Sequence, residues 1–173
     1  MVHVELSPTE MHIANAISKG IQDFYGNSKN KRAIDVNQSQ EYRTNELVYS
    51  EMCVSKYLDV YPFNTFVFDK VSLDDGTDLG DIKYYGKTID VKSTRYKTGR
   101  LAVPYKNDNV DVYILTIGEK GSYDIIGGIY SKDLIVSEKY ILPPNFKKKS
   151  YVAEQSELIP IDKLLLDIRN KKE

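Results

Sequence analysis

In Gly80-Asp81-Ile82-Lys83-Tyr84-Tyr85-Gly86-Lys87-Thr88-Ile89-Asp90-Val91-Lys92-Ser93, two alternating segments flank a Tyr-Gly pair. That is the pattern of a hairpin with a two-residue turn. Such a turn pairs Tyr84 with Lys87, Lys83 with Thr88, Ile82 with Ile89 and Asp81 with Asp90, and directly opposite residues project from one face. Alternation brings Lys92 to the same face as Asp90. Two carboxylates side by side repel unless something compensates them, and a divalent cation does so. Oxygen donors at this spacing suit Mg²⁺, which keeps several waters for a phosphate to displace; Mn²⁺ is the alternative ion. A metal-bound water and a nearby ammonium are what phosphodiester hydrolysis requires, since they supply a nucleophile at neutral pH and stabilise charge at the phosphate.

A helix expected upstream supplies a third carboxylate. Leu47, Val54 and Leu58 define its apolar stripe, and Glu51 sits on that stripe. A Glu there is costly unless paired or metal-bound. Glu46 falls on a neighbouring face with Ser50, Cys53 and Tyr57, and Glu41 lies at the helix start, so Glu51 is the expected ligand. Asp78, in Asp74-x-Gly76-x-Asp78, is the second choice for the first acidic position. In the register above it falls on the face opposite Asp81, and a bulge at Gly80 reverses the ranking, because a one-residue slip flips every side chain. Lys83, Lys87, Arg95, Lys97, Arg100 and Lys106 gather positive charge here, interleaved with Tyr84, Tyr85, Tyr96 and Tyr105. That mixture suits phosphate contact and base stacking, and equally a solvated ribbon with cross-strand Tyr packing.

The elements that must position these residues are legible in outline. Ser7-Pro8-Thr9-Glu10 is a capping box with Pro at the first helical position. Ile13, Ile17, Ile21 and Phe24 continue the helical period to Gly26, which offers a left-handed exit. Residues 27–38 are polar and read as a loop, and a second helix covers Gln40 to Leu58. After Pro62 the period falls to 2: Thr65–Val71 reads as a strand, Leu73–Asp78 as a turn, and then comes the hairpin. Val110–Ile117 is the most apolar run and reads as a central strand, and Tyr123–Tyr130 as another. Short helices are expected at Ser131–Val136 and Ile161–Arg169. Helices, then strands, then shorter helices predict one α/β or α+β domain with a mixed sheet.

The chain has 173 residues, which as a prior means a single domain able to bury its own core. It divides into an N-terminal helix and loop (1–38), a core (39–136) and a C-terminal extension (137–173). A lone cysteine, Cys53, permits no intrachain disulfide and points to a reducing, cytoplasmic setting. With only His3 and His12 beside it, a Cys/His zinc site is not expected. The formal net charge of −1 argues against a constitutively basic coat protein for nucleic acid. No apolar run approaches the roughly 18 residues of a membrane span, so no membrane partner is expected.

These residues resemble the PD-(D/E)XK nuclease superfamily. The segment Ser50-Glu51-Met52-Cys53-Val54-Ser55-Lys56-Tyr57-Leu58 is similar to the "GE-x-A-V-x-x-Y-L" helix of small nucleases in that group. Ile89-Asp90-Val91-Lys92-Ser93-Thr94 is similar to their acidic "(I)-(D/E)-V-K-(S/T)" strand, and Asn109–Leu115 to the strand beside it. The family's Pro is absent, since Gly80 precedes Asp81, and Ser50 stands where Gly is usual. The resemblance spans about Glu41 to Tyr130 and implies a restriction-endonuclease-like core, a mixed β-sheet flanked by helices. It implies that Asp81 and Asp90 ligate Mg²⁺, with Glu51 a further or water-mediated ligand. Lys92 would orient or help deprotonate the attacking water and stabilise charge on the phosphorane. Small stand-alone members are junction resolvases, repair nucleases and phage-type accessory nucleases, so DNA is the expected partner and a homodimer the expectation by analogy. RNA stays open as substrate, because metal-ion hydrolysis of the backbone does not itself select the sugar. The rival readings are a nucleic-acid-binding protein on this fold without catalysis, and a protein-interaction domain with an incidental acidic hairpin.

Overall fold

A computed structural model describes residues 1–26, 40–60, 82–142 and 149–170. Its centre is a mixed sheet built on β3 (Lys87–Thr94) and β5 (Val112–Glu119), which run parallel. Outside them, β2 (Ile82–Tyr84) pairs antiparallel with β3, and β6 (Ser122–Tyr130) with β5. β1 (Val2–Glu5) and β9 (Ile159–Pro160) both pair with β6. β4 (Leu101–Val103), β8 (Ser150–Ala153) and β7 (Tyr140–Ile141) form a second, three-stranded antiparallel sheet. The helices are α1 (Pro8–Gly26), α2 (Gln40–Tyr57), the short α3 (Ser131–Leu134) and α4 (Ile161–Asn170).

Strand β5 reads as a near-continuous apolar run because both of its faces are covered. Along β5, Val112 and Ile114 join the core under α1, α2 and α4, while Tyr113 and Leu115 join a second core with β4, β8 and α3. In β3, Ile89 and Val91 take the helix side. Asp90, in register with Tyr113, therefore faces the other way.

The capping box forms as expected. The Glu10 amide donates to Ser7 Oγ at 3.3 Å, and the Ser7 amide to Glu10 Oε2 at 2.6 Å. Lys56 of α2 donates to the same Glu10 oxygen at 2.7 Å and to the Glu5 carbonyl at 2.9 Å, locking α2 to the start of α1. Cys53 is fully buried, and burial pushes its thiol up to about 12, which makes it an inert core residue.

Two expectations change. Of the stripe assigned to α2, Val54 and Leu58 are buried but Leu47 is 44% exposed, and Val48, Tyr49, Met52 and Cys53 are buried as well. The short helix expected over Ser131–Val136 ends at Leu134, and a 3₁₀ turn follows at Ser137–Lys139. In the C-terminal segment, Ile161, Leu164, Leu165 and Ile168 of α4 pack within the core. Two glycines of β6 admit this C-terminal segment. A Cβ on Gly127 would clash with the Ile159 carbonyl oxygen, and one on Gly128 would lie 2.6 Å from a Leu164 methyl. The loop at 27–38, the strand at Thr65–Val71 and the turn at Leu73–Asp78 fall outside the described residues.

Candidate functional site

The hairpin has the expected register: Ile82 pairs with Ile89, Lys83 with Thr88 and Tyr84 with Lys87. Tyr85 and Gly86 both have positive φ, 46° and 76°, as the tight hairpin turn with matching right-handed twist requires. The next rung of that register would set Asp81 opposite Asp90; Asp81 and its rival Asp78 lie outside the described residues.

Asp90 is 3% exposed, and Lys92 Nζ donates to its Oδ1 at 2.5 Å. The two side chains thus meet on one face of β3, as alternation predicts. A buried carboxylate is tolerable only with such partners. Lys92 keeps about a third of its side chain in solvent, which leaves the ammonium accessible from outside. Glu51 is half-buried on α2, whose Val48 and Met52 pack with Ile89 and Val91. The helix that carries Glu51 therefore lies on the side of β3 opposite the face of Asp90. Glu46 acts elsewhere, since its carboxylate accepts from Tyr123 OH at 2.5 Å and from the Lys120 amide at 3.0 Å. It caps the β5–β6 turn, where Lys120 and Gly121 have φ of 55° and 82°. Burial, with Glu46 beside it, pushes the Tyr123 phenol well above its usual range.

The basic residues divide. Lys87 pairs with Asp111 at 3.0 Å and Arg100 with Glu154 at 3.0 Å. Lys83 donates to Thr88 Oγ1. Arg95 stacks 5.2 Å from the Tyr96 ring centroid and donates to its hydroxyl, and Lys97 is exposed. The positive charge of this stretch is thus partly used within the fold.

Asp111 was not among the expected site residues. Its Oδ2 accepts from the Thr88 amide at 2.9 Å, its amide donates to the Thr88 carbonyl, and its own carbonyl accepts from the Ser131 amide. Burial works against its charge, but the Thr88 amide and the Lys87 ammonium hold its carboxyl below the usual range. Beside it opens a cleft of about 340 Å³ lined by Lys87, Val110, Asp111, Tyr130, Ser131 and Lys132. Its signal in the sequence was the one acid within the most apolar run, next to where the strand begins. At the hairpin tip Arg169 donates to Tyr84 OH at 2.7 Å and lies over the rings of both Tyr84 and Tyr85. Nothing local in the sequence pointed to that contact, which spans the chain from α4 to β2.

Among the described residues no three His, Cys, Asp or Glu side chains converge as a metal-binding group. Also among them, no helix is long and apolar enough to cross a membrane. No family model, curated protein or solved structure matches the chain.

Proposed function

We propose that this chain is a metal-dependent DNA nuclease with a restriction-endonuclease-like core, acting through Asp90 and Lys92 with Asp81 and Glu51. The observation that carries the reading is the buried Asp90 carboxylate with the ammonium of the partly exposed Lys92 2.5 Å away. The β3 strand that holds them is flanked by the predicted hairpin and a parallel apolar strand. Hard carboxylate oxygens fit Mg²⁺, with Mn²⁺ as a substitute. Asp90 and Asp81 would hold the ion, and Glu51, coming from the helix side, would act through water; Asp78 is the alternative to Asp81. Bound there, the ion supplies a water of lowered pKa and charge neutralisation at the phosphate.

The chain's own residues do the rest. Asp90 holds Lys92 by its Oδ1, so the ammonium would orient the attacking water and stabilise the negative charge that develops on the phosphate. The core beneath them holds both side chains on rigid strands, which keeps positioning costs out of the reaction step. The test is a panel of linear duplex, single strand, flap and four-way junction DNA, with Mg²⁺, Mn²⁺ or EDTA. Cutting that needs metal is expected, and the preferred structure names the substrate subclass. Salt-sensitive binding without cutting would favour the catalytically silent rival, and neither binding nor cutting would overturn the nucleic-acid reading.

A further inference from the structure

One end of the central sheet carries a row of cationic and aromatic side chains that the catalytic reading does not use. Arg169, near the end of α4, donates through Nε to Tyr84 OH at 2.7 Å and lies 5.7 Å and 5.9 Å from the Tyr84 and Tyr85 ring centroids. The guanidinium is therefore held over two adjoining rings and by a hydroxyl. Its Nη donors have no hydrogen bond or ion pair among the described residues, and the residue is exposed. Tyr84 sits directly opposite Lys87, so their side chains share a face. Lys87 reaches Asp111, and with it lines the cleft whose far wall is Tyr130, Ser131 and Lys132. Lys132 is exposed, with its ammonium 5.9 Å from the Tyr130 ring centroid. The rim thus comprises Arg169 over Tyr85, and Lys87 and Lys132 lining one cleft. Its described carboxylate, Asp111, is already bonded to Lys87 and to a backbone amide.

We infer that this rim binds the phosphates of a nucleic-acid strand, with Arg169 as a pre-oriented fork and Lys132 as the cation of the cleft. The inference takes from the proposed function only that the ligand is nucleic acid. A guanidinium whose plane is fixed loses little freedom on binding and matches two phosphate oxygens at once. Tyr85, 47% exposed at the turn, adds a flat surface on which a base stacks. An acidic peptide would satisfy the charges but would leave that ring unused, which is why a nucleic-acid strand is favoured. The rim begins three residues before Asp90 on β3, at the strand end and not on the face that carries Asp90.

Binding of a fluorescent single-stranded and a duplex oligonucleotide, read by anisotropy in EDTA over a salt series, tests this without any catalysis. Arg169→Gln and Lys132→Gln are each expected to weaken binding about fivefold or more, and together to lower the slope of log K against log salt by about two. Lys163→Gln, an equal charge change elsewhere on α4, should leave binding within about twofold. Arg169→Lys keeps the charge without the fork and should fall between parent and Arg169→Gln; thermal melts confirm that each variant is folded. Rim variants that bind like the parent, or a parent that binds a polyglutamate peptide as well as it binds the oligonucleotides, would overturn the inference. A parent that binds through the rim but never cuts would overturn the catalytic reading alone.

Discussion

Asp90 and Glu10 are two carboxylates held beside lysine ammonium groups in different surroundings. Asp90 is buried beside a closely placed ammonium on a rigid strand. Glu10 lies near the surface, where burial opposes its charge but the Lys56 ammonium and the Ser7 amide outweigh it and hold its carboxyl at about 2. The sign of its effect on stability follows from that depression. Unfolded, Glu10 takes up a proton as pH falls through its usual 4.5; folded, it resists until about 2. Its contribution is therefore complete above the upper value and is lost as pH drops across that window. Urea unfolding at a series of pH values should show Glu10→Gln less stable than the parent at neutral pH, with the two curves converging toward about pH 2. Curves that stay parallel through the acid range would show that the Lys56 contact does not set the titration.

At the scale of elements, the chain's C-terminal segment is welded to the sheet by close backbone approach. Gly127 of β6 meets the Ile159 carbonyl so closely that any Cβ would clash with it. Because that neighbour is backbone, it cannot swing aside, so Gly127→Ala should cost roughly 1–3 kcal/mol and lower the melting temperature. An unchanged melt would mean that β9 is not held as described. This pairing was not legible in the sequence, because a two-residue strand carries no period to read. The hairpin was legible, since Tyr85-Gly86 sits between two alternating arms and the turn type then dictates the register. The α2 helix was located, with Val54 and Leu58 on its buried side, but Leu47 was misplaced and the breadth of the buried face missed. It packs against α1, β1, β3, β5 and β6, so apolar residues occupy more than one side and no clean stripe survives. Lys92 beside Asp90 followed from alternation alone, whereas Arg169 over Tyr84 joins residues far apart in the chain and had no local signature.

For the molecule as a whole, a net charge of −1 conceals an uneven distribution. Lys87, Lys132 and Arg169 collect at one end of the sheet, while the cores on its two faces are apolar. The sheet thus presents a buried acid with its lysine on one strand and a cationic rim a few residues away, an arrangement suited to a polyanion held across the strand ends. The most direct measurement of whether β3 carries the chemistry is the single-turnover rate of Mg²⁺-dependent cleavage by the parent, Asp90→Asn and Lys92→Ala, purified identically and checked for folding. Each substitution is expected to lower the rate by a factor of about 10² or more, the scale of losing a charge-stabilising or proton-transfer group. Folded variants that cut as fast as the parent would contradict the assignment of Asp90 and Lys92 and move the active centre away from β3.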